Sequence, residues 1–144
     1  MRSPRPPNSA PNCAADVPGE TDLARMLATL DVVRRPGRFT FVTGEWPTLA
    51  PVAVATIHEA EGPTHVVTVE QATIAGAPVD FEAAWLTLTA HSALEAVGLT
   101  AAFSAALGEA GIPCNVLAGF HHDHLLVPAE RADEAVSVLR SLAG

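Results

Sequence analysis

The stretch with the densest set of chemically active side chains is "NVLAGFHHDHLLVP", from Asn115 to Pro128. It places three of the chain's six histidines beside Asp123, between two apolar runs. Imidazoles can ligate a metal ion or exchange protons near neutral pH, and a carboxylate can pair with an ammonium or guanidinium group. The cluster is therefore typical of a metal site, of an acid–base site, or of one wall of a ligand pocket.

A metal site needs more ligands than this stretch supplies. In a strand, alternation would send His122 and His124 to one face and His121 and Asp123 to the other. Two imidazoles can share one ion, but a zinc site needs three or four ligands. The remaining ligands would have to come from elsewhere in the chain: His58, His65, His91 or Cys114. We therefore rank a pocket wall or a solvated hairpin end above a metal site.

Signs of catalysis are weak. Cys114 could act as a nucleophile with a neighbouring histidine as its base, but a lone cysteine in a strand is usually a small core residue. Ser92 and Ser104 lack a surrounding G-x-S-x-G elbow, and no phosphate-binding glycine loop is present. His91 and Ser92 are expected near the mouth of a pocket, where a capping or solvated role is the simpler interpretation. The sequence predicts neither an enzyme nor a bound cofactor.

Charge and hydrophobicity exclude two classes of partner. The formal net charge is −8 and only eight residues are basic, which is too few for a nucleic-acid-binding face. No apolar run reaches the ~18 to 20 residues that a membrane span requires. The two cysteines, Cys13 and Cys114, are expected to be free thiols in a reducing compartment, and no secretory signal is visible. We expect a cytoplasmic protein.

The first half of the chain predicts an α-β-β-β-α order. Residues 1–20 are rich in proline and are expected to form a disordered leader. A helix over "ETDLARMLATLD" can be capped by Thr21 or Asp22, and "RPG" is expected to end it and turn the chain. Three strands follow, over "RFTFVTG", "PVAVATIHEA" and "EGPTHVVTVE". "QATIAGAPV" is expected to form a short helix or turn closed by Gly76.

The second half predicts a β-α-β-β-α order. The stretch from Asp80 to Ala90 is the most strand-like in the chain, and the next segment is a helix that ends near Gly111. Two strands then form a tight hairpin separated by His121 and His122, and an amphipathic helix follows. This order indicates an α+β fold of the ferredoxin-like kind. The looser first half can share one sheet with it.

The segment "AVGLTAAFSAALGEAGIPCNV" resembles an ACT domain, through the turn at Gly98, the apolar helix and the "AGIPCNV" entry to the next strand. Together with "AGFHHDHLLVP" it is similar to small stand-alone paired-ACT proteins, to the regulatory end of aspartate kinases and to arginine-sensing paired-ACT proteins. The resemblance implies two tandem ferredoxin-like (βαββαβ-type) units. Residues 21–79 would form a degenerate unit and residues 80–144 an ACT domain.

The resemblance implies a regulatory protein that binds a free amino acid or a similar small zwitterion, without catalysis. Backbone N–H groups at Gly98, Leu99 and Thr100 would hold the carboxylate, because a helix start offers unpaired donors and the positive end of the helix dipole. Asp123 would hold the cation, and Asn115 and His122 would add polar contacts. A homodimer and an enzyme regulated in trans are the implied partners. The alternatives are a metal-binding protein using the His121–His124 cluster and a structural interaction module with a vestigial pocket.

Overall fold

The computed structural model describes residues 22–90 and 98–144 as a six-stranded antiparallel sheet with helices packed against it. The expected leader, residues 1–20, lies outside the described residues. None of the described helices is long and apolar enough to cross a membrane. The helices are α1 (Leu23–Ala28), α2 (Val69–Ala75), α3 (Leu99–Glu109) and α4 (Ala132–Ser141). The strands are β1 (Val32–Thr43), β2 (Ala55–Glu59), β3 (Gly62–Thr68), β4 (Ala83–Leu88), β5 (Asn115–Ala118) and β6 (Asp123–Pro128).

The strands are ordered β2-β3-β1-β4-β6-β5. Both predicted element orders are confirmed, since the chain runs α-β-β-β-α and then β-α-β-β-α. The two halves share the sheet because β1 pairs with β3 on one side and with β4 on the other. The fold is therefore the expected α+β, ferredoxin-like arrangement with two tandem units.

The expected turn at "RPG" is wrong. β1 continues through this stretch, and its pairing with β4 shifts register between Arg35 and Phe39. An irregularity of this kind accommodates residues that cannot keep a regular ladder, such as Pro36, which has no N–H, and Gly37, whose φ is +93°. The first half of β1 therefore lies beside β4 and its second half beside β3.

The helices all lie on one face of the sheet. Leu86, Leu125 and Val127 point from the strands into a core formed with α1, α3 and α4, while Val42 and Val67 pack with α2 at the other end. Trp85 and Leu126 point to the opposite face and are buried there with Phe39, Val66 and Ala83. Because both faces of β4 are covered, five of its six residues are buried and the strand shows no alternation of burial.

Local sequence signals place the helix ends. The Asp22 carboxylate accepts the N–H of Ala24 at 2.9 Å and caps α1, as expected. Gly76 ends α2 in the left-handed region, also as expected. Arg131 joins α3 to α4, because its guanidinium donates to the carbonyls of Ala110 and Gly111 and to the carboxylate of Glu134.

Candidate functional site

The start of α3 needs a glycine for two reasons. Gly98 precedes the helix with φ +108°, a conformation that other residues adopt only under strain. A Cβ atom at this position would also lie 3.0 Å from Cδ2 of Leu23 on α1. Leu99 is buried in the core, so only its backbone N–H can face a ligand, whereas Thr100 is exposed. Gly98 offers no side chain to cap the helix, which leaves the first-turn donors for another acceptor.

The β5–β6 hairpin carries the other half of the predicted site. The N–H of Gly119 donates to the carbonyl of His122 at 2.9 Å and closes the turn. His121 and His122 lie in this turn and not in a strand, so the expected alternation of the histidines applies only from Asp123 onward. The Nδ1 atom of His122 is buried and has no hydrogen-bond partner within residues 22–90 and 98–144. It therefore remains a group that a ligand could contact.

Asp123, the first residue of β6, is half-buried. Burial raises the pKa of its carboxyl, while the nearby His124 and His122 oppose that shift. Among the described residues, no group donates a hydrogen bond to this carboxylate and none forms an ion pair with it. A partly desolvated carboxylate without such a partner favours an approaching cation, because pairing offsets the cost of its burial.

Topology brings five of the six predicted residues to one end of the sheet. Asp123 pairs with Ala118 at the end of β5, and α3 runs antiparallel to β5 and so begins at that same end. Asn115 is different, because it pairs with Leu126, three residues from Asp123 along β6. At ~3.3 Å per residue the separation is about 10 Å, and the odd spacing places the two side chains on opposite faces. The structure does not bring Asn115 together with the other five.

His124 lies on the helix-free face in an aromatic environment that the sequence analysis did not anticipate. Its Nδ1 atom accepts a hydrogen bond from Nε1 of Trp85 at 3.3 Å and lies 2.9 Å from the hydroxyl of Thr87. Since the indole nitrogen can only donate, Nδ1 is unprotonated and the proton is on Nε2. The sequence does carry a signal for this cluster, because Trp85 and Thr87 are two residues apart in a predicted strand and therefore share one face. Arg35 completes the cluster, with its guanidinium 5.4 Å from the centre of the Trp85 ring.

Metal binding and thiol chemistry receive no support. Within residues 22–90 and 98–144, no group of three or more His, Cys, Asp or Glu side chains could hold a metal ion. Burial raises the pKa of the Cys114 thiol to about 11, which disfavours the reactive thiolate. His91 and Ser92 lie outside the described residues, so their roles stay predictions.

Comparison with known proteins identifies both halves of the chain. Residues 18–84 match a family profile described as ACT domain, and residues 80–141 match a second profile with the same description. None of the curated proteins with which the chain was compared matches it significantly.

Solved structures agree with these matches. A Vibrio cholerae protein of unknown function, described as a possible transport protein, is 38% identical with a TM-score of 0.76, covering 85% of this chain and 96% of that one. An Agrobacterium tumefaciens protein is 17% identical with a TM-score of 0.65, covering 79% and 89%. The ligand-free regulatory subunit of Thermus thermophilus aspartate kinase is 12% identical with a TM-score of 0.58, covering 77% and 95%. The last two share the fold. The chain belongs to the ACT-domain family and carries two ACT domains in tandem.

Proposed function

We propose that this protein is a non-catalytic regulator that binds a free amino acid. Support comes from its two ACT domains and from the similarity of its fold to a regulatory subunit. Residues 21–79 and 80–144 are the two units that we assign. A ligand that binds one packing arrangement of these units better than another shifts the population toward it, which produces regulation without chemistry.

The site lies at the end of the sheet where α3 and β6 begin. The ligand carboxylate accepts hydrogen bonds from the backbone at Gly98, Leu99 and Thr100, and its ammonium group pairs with Asp123. His122 adds a polar contact through Nδ1. The observation that carries this assignment is the half-buried carboxylate of Asp123, which has no hydrogen-bond or ion-pair partner among the described residues. Asn115 has no contact in this arrangement, because it lies on the other face.

Thermal unfolding in the presence of each of the twenty amino acids tests the proposal. A ligand that binds only the folded state raises the midpoint by mass action. We expect one chemical class of amino acid to raise it, and Asp123→Asn to abolish the shift. Asp80→Asn is the matched control, because it makes the same change at an exposed loop residue. The proposal fails if no amino acid shifts the midpoint, or if the two variants respond alike.

The effect on other proteins is part of the same proposal. We infer that the protein acts as a homodimer in the cytoplasm and regulates an enzyme in trans. A purely structural interaction module is the competing function. It predicts that the midpoint is indifferent to every amino acid and to the change at Asp123.

A further inference from the structure

An open cleft of about 430 Å³ lies between α4 and the first half of β1. Its α4 residues follow the i, i+3, i+4, i+7 spacing of one helix face, and its β1 residues are two apart, on one face of the strand. The β1 residues belong to the N-terminal ACT domain and the α4 residues to the C-terminal one, so both domains line the cleft. The lining residues are Val32, Arg34, Asp133, Val136, Ser137 and Arg140.

Arg140 is held in place on one wall. Its Nε donates to Oδ1 of Asp31 at 3.0 Å and its Nη2 donates to the carbonyl of Val32 at 3.2 Å. The N–H of Val32 and then the Arg140 guanidinium hold the pKa of Asp31 below its ordinary value, so this pair is ionised at neutral pH. A guanidinium has five N–H donors, and these two contacts leave further donors for a ligand.

Arg34 is held more loosely. Among the described residues, its side chain makes one hydrogen bond, from Nη1 to Oδ1 of Asp133 at 3.3 Å, and the Asp133 side chain is fully exposed. Exposed ion pairs contribute little, because water and salt screen them. Arg34 can therefore exchange Asp133 for the carboxylate of a ligand at low cost.

We propose that this cleft is a second binding site, separate from the α3 end, which takes a small organic carboxylate between Arg34 and Arg140. Guanidinium groups match the planar fork of a carboxylate, with two parallel hydrogen bonds. Val32 and Val136 provide an apolar wall, and the Ser137 hydroxyl can pair with a second polar group. The volume falls within the ~300–1,000 Å³ that small-molecule pockets occupy. An occupant contacts both ACT domains, so its binding can bias their packing.

Calorimetric titration of the full chain with succinate, 2-oxoglutarate, citrate and isovalerate tests this proposal, with inorganic phosphate and sulfate as general anions. We expect Arg34→Gln to weaken carboxylate binding by about tenfold or more, since it removes charged hydrogen bonds. Arg38→Gln is the matched control, because Arg38 lies on the same strand and pairs with Glu82 outside the cleft. This control should bind as the wild type does.

A second pair of variants tests for tighter carboxylate binding. Asp133→Asn should tighten carboxylate binding because it removes the group that competes for Arg34, whereas Glu82→Gln should change nothing. The proposal is overturned if no carboxylate binds, if Arg38→Gln weakens binding as much as Arg34→Gln, or if phosphate and sulfate bind as tightly as the best carboxylate. Asp123→Asn should leave this binding intact, so a failure of the amino-acid site is distinguishable from a failure of the cleft.

Discussion

The α3 end and the α4 cleft use the same residue type in opposite ways. At the α3 end, Asp123 is half-buried, its pKa is raised, and no described group pairs with it. At the cleft, Asp133 on the lining and Asp31 beside it are exposed, and each contacts an arginine of the lining. A lone desolvated carboxylate favours an incoming cation, whereas paired surface charges can be exchanged for those of a ligand. The two regions are therefore suited to different charges, although one sheet and one core support both.

The largest effect should come from the core that the two regions share. Phe103 of α3 is fully buried in the cluster that includes Val32 and Leu139. We expect Phe103→Ala to reduce the free energy of unfolding by about 3–5 kcal/mol and to impair both regions together. Phe120→Ala at the hairpin tip, where the side chain is 59% exposed, should change it by less than about 0.5 kcal/mol. Urea denaturation measures both variants, and equal losses would contradict the assignment of the core.

Backbone conformation separates two glycines of the α3 region. Gly98→Ala should destabilise by about 1–3 kcal/mol, because the new Cβ meets Leu23 at a positive φ. Gly108→Ala should instead stabilise by about 0.5–1 kcal/mol, since this residue lies inside the helix with no atom within 4 Å of the new Cβ. Chemical denaturation of the two variants gives the comparison. A Gly98→Ala variant as stable as wild type would show that α3 does not need its glycine start.

Acidification should lower the free energy of unfolding through His124, which lies in the same hairpin as Asp123. Burial and then the charge of His122 lower the pKa of His124 below its ordinary 6.5. As the pH falls through 6.5, the unfolded chain therefore takes up this proton before the folded chain does, and the free energy of unfolding falls. His124→Gln should reduce this pH dependence. Thermal unfolding from pH 7.5 to pH 5.5, followed by Trp fluorescence, measures the difference.

The raised pKa of Asp123 acts in the opposite direction, because there the folded chain takes up its proton first as the pH falls. Because His124 also opposes the rise in the pKa of Asp123, His124→Gln is compared with its parent in the Asp123→Asn background, which removes the carboxyl. Identical pH profiles for the two proteins would contradict the lowered pKa of His124 in the folded chain.

The smallest effect on the stability of the protein should come from a substitution in the cleft. Arg34→Gln removes one exposed ion pair, and we expect no measurable change in the unfolding midpoint without added carboxylate. Differential scanning calorimetry checks this. A clear loss of stability would show that the ion pair between Arg34 and Asp133 is structural. Arg34 could then not leave Asp133 for a ligand carboxylate at low cost.

Sequence patterns predicted the elements better than their connections. Asp22, Gly76 and Gly111 marked helix ends through local chemistry, which acts within a few residues. The same local rules failed at Pro36 and Gly37, because pairing with β4 on one side and β3 on the other outweighs their preference for a turn. Tertiary pairing of this kind leaves no signal in a short window of sequence.

The candidate site, like the fold, was predictable in part from the sequence. Gly98 and Asp123 follow from a motif, and topology brings them to one end of the sheet. Asn115 lies close to Asp123 in sequence but on the other face, and this depends on the exact length of the hairpin turn. The cleft leaves no signal in the sequence, because Arg34 comes close to α4 only through the path of β1.

The most direct test of the amino-acid site is a ¹H–¹⁵N NMR titration of the full chain with the amino acid that gives the largest thermal shift. An amino-acid site at the α3 end predicts chemical-shift changes at the amides of Gly98, Leu99, Thr100 and Asp123, with those of Ser137 and Arg140 unchanged, and loss of these changes in Asp123→Asn. Changes confined to α4 and the first half of β1, or changes that persist in Asp123→Asn, would contradict it.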